Sequence, residues 1–127
     1  MSQPARARAR PVRTEQPIHI AIVTYLRAVL RPGYLALHIP MNAATKTAGA
    51  IAKAMGALAG VADILILCPD ARCAWLEVKK ADGRQHAEQV EFAAWCQRHG
   101  HVYGVARSID ETRAFLASVG IPTREAA

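Results

Sequence analysis

The sequence predicts an α/β domain with a mixed central sheet flanked by helices, and three observations carry the prediction. Helical and strand periodicities alternate along the chain in the order α-β-α-β-β-α-β-α. Two β-rich runs, 61–67 and 73–80, lie side by side in its middle, separated only by Cys68-Pro69-Asp70-Ala71-Arg72. The length of 127 residues, with 52% hydrophobic and 20% charged residues, suits one packed domain and excludes a disordered or membrane-embedded chain.

Taken in order, Ile18, Ile22, Leu26 and Val29 recur at helical spacing behind Thr14, a candidate N-cap. Pro17 is tolerated because it falls in the first turn, and the helix is expected to stop near Arg31, before Pro32-Gly33. Residues 34–39 read as a short strand ended by Pro40. Residues 43–58 read as a second helix with Ile51, Met55 and Leu58 inward and Gly60 at its C-cap. The two β-rich runs then form a central hairpin. A third helix is expected from Arg84 or Gln85 to His99, closed by Gly100, followed by a strand over 101–106. Ser108 or Asp110 caps a last helix to about Ser118, ended by Gly120 and Pro122. This places a disordered basic arm at 1–13, the domain at 14–120 and a C-terminal tail at 121–127.

Sixteen Lys and Arg against ten Asp and Glu give a net charge of +6, which points to an anionic partner, nucleic acid or a membrane surface. Its distribution is uneven. The arm carries Arg6, Arg8, Arg10 and Arg13 without an acid, and no acid occurs between Gln16 and Ala62, whereas residues 63–127 carry a slight acidic excess. Cys68, Cys73 and Cys96 are odd in number, lie in apolar context and lack paired zinc-site spacing, which fits a reduced, cytoplasmic protein. Lys53 and Asp63 interrupt the Ala-rich stretch before it could span a bilayer, so no membrane association is expected. The Arg- and Ala-rich leader has a transit-peptide composition, but it is short and contains Pro4 and Pro11, so a basic arm is the better reading.

The sharpest chemical signal lies in the hairpin. Asp63 follows Gly60-Val61-Ala62 at the head of an apolar strand, and the next strand reads Trp75-Leu76-Glu77-Val78-Lys79-Lys80. Residues two apart share a strand face, so Glu77 and Lys79 point together while Leu76 and Val78 point into the other layer. Hard oxygen ligands from Asp63, Glu77 and the carbonyl of Val78 suit Mg²⁺ or Mn²⁺, with positions left for water and a phosphate oxygen. Lys79 would reach the same phosphate. The competing explanation is a turn aspartate beside a solvated Glu-Lys pair on a strand.

Two residues elsewhere bear on that choice. Positions 15, 19, 22 and 26 share one helix face, so Glu15 can lean over the core edge toward a metal; a first-turn acid also complements the helix dipole, worth about 0.3–1 kcal/mol. Gln89 stands four and seven residues before Ala93 and Cys96 on the third helix, where an amide could orient a water or a strand, or simply lie on the surface.

The order Glu15, Gly60-Val61-Ala62-Asp63, Glu77-Val78-Lys79, Gln89 resembles the VRR-NUC nucleases, a branch of the PD-(D/E)xK or restriction-endonuclease-like superfamily. Thr14-Glu15 opening an apolar helix, His38-Ile39-Pro40-Met41-Asn42 before the second helix, Gly83 leading to Gln89, and Gly100-His101-Val102-Tyr103 extend the likeness over about residues 14–120. Two positions depart from the family pattern: Ala62 stands where Pro is usual, and Ala43-Ala44-Thr45-Lys46 replaces a Gly- and Arg-bearing loop. The resemblance implies a restriction-endonuclease-like core. It implies metal-binding and catalytic roles for Glu15, Asp63, Glu77 and Lys79, and the accompanying glutamine's place for Gln89. It further implies a homodimer that cuts branched DNA such as four-way (Holliday) junctions.

DNA contacts are expected from Lys46 and Lys53, seven apart on the second helix with Gly49 and Gly56 on the same stripe, and from Arg84 before the third helix. Two solvated lysines on an Ala-rich helix explain the first pair equally well. Arg6, Arg8 and Arg10 would add salt-sensitive, sequence-independent affinity. His19, His38, His86, His99 and His101 read as structural or surface groups, and Trp75 and Trp95 as core. The expected function is therefore a Mg²⁺- or Mn²⁺-dependent DNA endonuclease without a small-molecule cofactor. The alternative is a nucleic-acid-binding module that keeps the fold but does not cut.

Overall fold

The computed structural model describes residues 15–40 and 44–125. The arm with Arg6, Arg8 and Arg10, the Thr14 cap and Asn42 lie outside the described residues. Four strands form one mixed sheet in the order β1-β2-β3-β4. β1 (Leu35–His38), β2 (Ile64–Leu67) and β3 (Cys73–Val78) run antiparallel, and β4 (Val102–Ala106) joins β3 in parallel. Helices α1 (Gln16–Val29), α2 (Lys46–Ala54), α3 (Ala87–Arg98) and α4 (Ile109–Ser118) complete the predicted order. The β3–β4 pair is parallel because α3 serves as its crossover, a connection that a tight hairpin cannot supply.

Strand alternation divides the sheet into two faces. Ala36, Ile64, Ile66, Ala74, Leu76, Val78 and Ala106 pack against Ile22 and Leu26 of α1 and Phe115 and Leu116 of α4, forming the main core. Gly104 belongs to that face, where a Cβ would collide with the Phe115 ring. The opposite face carries Leu35, Leu37, Leu65, Leu67, Trp75 and Tyr103. α3 covers its β3–β4 half, with Phe92 edge-on to Trp75 at 5.4 Å and near Tyr103 at 6.0 Å. Leu35 and Leu67, on the β1–β2 half, are exposed.

Several expectations are corrected. Ile51, Met55 and Leu58 do not point inward: they are 55%, 82% and 58% exposed, and α2 buries none of its residues. α2 is also shorter than residues 43–58; the Thr45 hydroxyl caps its start by accepting from the Ala48 N–H. It ends before Gly56, whose φ of +107° is the left-handed value that closes a helix, so Gly56 is a terminator and Gly60 is not the cap. α1 begins behind Glu15 and ends at Val29, and α3 begins behind His86. Trp95 is 46% exposed, its ring stacked on His101 at 5.1 Å, and so is not core. The Ser108 cap of α4 is as expected, its hydroxyl accepting from the Glu111 N–H. Residues 121–125 return to the domain: Ile121 is buried, and Arg124 N–H donates to the Val29 carbonyl at 2.7 Å.

Candidate functional site

The predicted residues meet where the ends of β2, β3 and β4 face the starts of α1 and α3. Glu77 occupies the α3 face of β3, next to its last residue, and is 1% exposed. Lys79 follows the strand and is 3% exposed. Its N–H donates to the Ala106 carbonyl at 3.1 Å and prolongs the parallel ladder by one residue. Lys79 Nζ lies 3.9 Å from Glu77 Oε2 and 3.9 Å from Glu15 Oε2, joining the head of α1 to the hairpin.

Asp63 stands one residue before β2. Its Oδ2 accepts the Val78 N–H at 2.8 Å, which fastens the carboxylate to β3. Its backbone carbonyl accepts the Ile39 N–H at 2.8 Å and is 3.1 Å from His38 Nδ1. Both strands flanking β2 therefore hold this one residue.

Gln89 reaches the site because of how α3 begins. At the third position of the helix, its Oε1 accepts the His86 N–H at 2.8 Å, the reciprocal half of a capping box. That bond fixes the amide orientation, and Nε2 then donates to Glu77 Oε2 at 2.7 Å. Gly60 lets the preceding loop abut the first turn of α3: its φ is +90°, and a Cβ would collide with the Glu88 carbonyl.

Glu77 Oε1 is buried and has no hydrogen-bond partner. Burial pushes this carboxyl up to about 8; the charge of Asp63 adds to the rise, Lys79 opposes it and Glu15 adds further. A buried acceptor left unsatisfied costs about 1–3 kcal/mol, more when ionised. The site thus offers a dry oxygen, a neighbouring carboxylate and a lysine at its rim. This hard-oxygen donor set fits a divalent cation of the Mg²⁺ or Mn²⁺ type, which takes one or two carboxylates and keeps several waters. Among the described residues, no three His, Cys, Asp or Glu side chains converge into a complete cage.

Of the predicted residues, Asp63, Glu77, Val78, Lys79 and Gln89 are brought together directly, and Glu15 joins them through Lys79. Arg84 is exposed on the turn that leads to α3. Lys46 and Lys53 are exposed on α2, away from the sheet core. Two histidines went unrecognised. His19 and His38 pack edge-to-face at 4.6 Å beside Asp63. Burial and His38 lower the His19 pKa, while Asp63 and Glu15 act in the opposite direction. The signal for His19 was its place four residues after Glu15 on the same helix face; His38 becomes visible only through the β1–β2 register.

No protein-family model matches the chain, and no curated relative matches it. Two solved structures share its architecture. One, described as a VRR_NUC domain, superposes with a TM-score of 0.59 at 15% identity, over 81% of this chain and 94% of that one. The other, a VRR_NUC domain protein, superposes with a TM-score of 0.67 at 21% identity, over 86% and 90%. The chain has the restriction-endonuclease-like α/β fold of these VRR_NUC domains. Among the described residues, no helix is long and apolar enough to cross a membrane.

Proposed function

We propose that the chain is a Mg²⁺- or Mn²⁺-dependent DNA endonuclease that acts, as a homodimer, on branched DNA such as four-way junctions. The observation that carries the reading is Glu77: a buried carboxylate with one oxygen unpartnered, set between Asp63 and Lys79 at the end of the sheet. Asp63, Glu77 and the Val78 carbonyl, with Glu15, would hold the cation. When bound, it supplies the Lewis acidity that lowers the pKa of a water and offsets phosphate charge.

The chain's own groups do the rest. Lys79, its stem buried and its ammonium beside Glu77, places positive charge where the phosphorane-like transition state gains negative charge. Gln89 keeps Glu77 turned toward Asp63 by holding Oε2. Water attacks phosphorus in line and the bond to the 3′ oxygen breaks, leaving a 3′-hydroxyl and a 5′-phosphate. Lys46, Lys53 and Arg84 supply phosphate contacts, and Arg6, Arg8 and Arg10 extend them.

The homodimer is supported by apolar surface that the protomer leaves uncovered, Ile51 on α2, Met55 and Leu58 just beyond its end, and Leu35 and Leu67 on the sheet. A two-fold arrangement of sites suits paired cuts in a symmetric junction. The experiment is cleavage of end-labelled four-way junction, flap and linear duplex with Mg²⁺, Mn²⁺ or EDTA, beside Asp63→Ala. Metal-dependent cutting of the junction in preference to linear duplex, lost in the variant, is expected. Metal-independent binding without cleavage of any substrate would make the chain a binding module.

A further inference from the structure

Asp63 is a proposed metal ligand that stands just outside its strand. It precedes β2, so the ladder that pairs β1 with β2 ends at His38↔Ile64, one residue short of it. Its carboxylate is anchored from β3 through Val78, but from the β1 side the grip falls on its backbone carbonyl. That carbonyl is shared by the Ile39 N–H, at 2.8 Å, and the His38 ring, at 3.1 Å. A carbonyl can only accept, so His38 Nδ1 carries a proton in this contact. The edge-to-face contact with His19 at 4.6 Å sets the plane of that ring. His19 in turn sits one helical turn beyond Glu15. The two imidazoles therefore link the α1 end of the site to the Asp63 end.

We infer that His38, with its ring held by His19, is a positioning residue of this site: its Nδ1–H fixes the Asp63 backbone so that the carboxylate faces Glu77 when a divalent cation binds. The inference rests on the metal-centre reading above. Groups that orient a ligand without touching the metal commonly govern affinity or activity by about 10–100-fold. The side-chain nitrogen of asparagine falls close to imidazole Nδ1, and that of glutamine close to imidazole Nε2. The two substitutions therefore report which nitrogen matters.

The experiment uses the full chain and its His38→Ala, His38→Asn, His38→Gln and His19→Ala variants. Mn²⁺ binding is measured by calorimetry, folding by circular dichroism, and the ring ¹⁵N shifts of His38 without metal. Expected are an Nδ1–H tautomer in the parent chain and about a tenfold or greater loss of Mn²⁺ affinity in His38→Ala and His38→Gln. Recovery in His38→Asn and a smaller loss in His19→Ala are expected as well. If His38→Ala fails to fold, the comparison of Asn with Gln decides. An Nε2–H tautomer, or equal Mn²⁺ affinity in the Asn and Gln variants, would overturn the role of His38. Failure of the parent chain to bind Mn²⁺ overturns the metal centre instead, with the tautomer still reporting on the His38–Asp63 contact.

Discussion

Gln89 and Glu77 are joined by a 2.7 Å hydrogen bond between residues twelve apart in sequence, one in the first turn of α3 and the other in β3. The bond is directional because the other end of the amide is occupied by the His86 N–H. It decides which Glu77 oxygen is satisfied and which is left bare.

Gln89→Ala removes that constraint and frees Glu77 to rotate. Cleavage of a junction substrate under single-turnover conditions should fall about 10–100-fold. Loss of the capping-box acceptor should cost about 1 kcal/mol of stability. Gln89→Glu should lose more activity than Gln89→Ala, since it sets a like charge against a buried carboxylate. Activity in Gln89→Glu equal to the parent would show that the amide does not orient Glu77.

The raised pKa of Glu77 predicts how stability changes with pH in the metal-free chain. Between the ordinary 4.5 and about 8, the folded state retains a proton at Glu77 that the unfolded state has released. The contribution to stability is therefore complete below that window and is lost as pH rises through it. In EDTA, the melting temperature of the parent chain should fall relative to Glu77→Gln between about pH 5 and about pH 9. The expected difference is roughly 4 °C for each kcal/mol of linkage. Parallel melting profiles for the two proteins would contradict the raised pKa of Glu77.

The uncovered apolar surface predicts an assembly. Ile51 and Met55 are largely exposed in the protomer, so Ile51→Asp together with Met55→Asp should leave the melting temperature of the protomer within about 2 °C, surface changes being nearly neutral. The same pair should shift the mass measured by light scattering from dimer to monomer. A parent chain that is monomeric at all concentrations tested would rule out this face as a dimer surface.

Much of the fold was readable from local pattern. The hairpin around Pro69 and the Ser108 cap of α4 depend on short-range turn and capping chemistry, and they stand where the sequence places them. The misreading of α2 has a physical cause: periodicity reports that Ile51 and Met55 share a face with Leu58, but not whether this chain covers that face. Trp95 was misplaced for a similar reason, because its partner His101 lies across a helix-to-strand turn. In the site, Glu77 and Lys79 follow from strand alternation, whereas the packing of His38 against Asp63 depends on a register joining residues 25 apart. The orphaned Glu77 Oε1 was likewise invisible, since which of the two buried oxygens finds a partner is set by Gln89.

The central claim is that Glu77 and Asp63 bind a divalent cation through the oxygen that the fold leaves bare. Anomalous diffraction from crystals soaked in Mn²⁺ tests it most directly. The account predicts a peak between the two carboxylates with Glu77 Oε1 at about 2.0–2.2 Å, lost in Glu77→Gln. No peak there at millimolar Mn²⁺, or a peak that persists in Glu77→Gln, would contradict it.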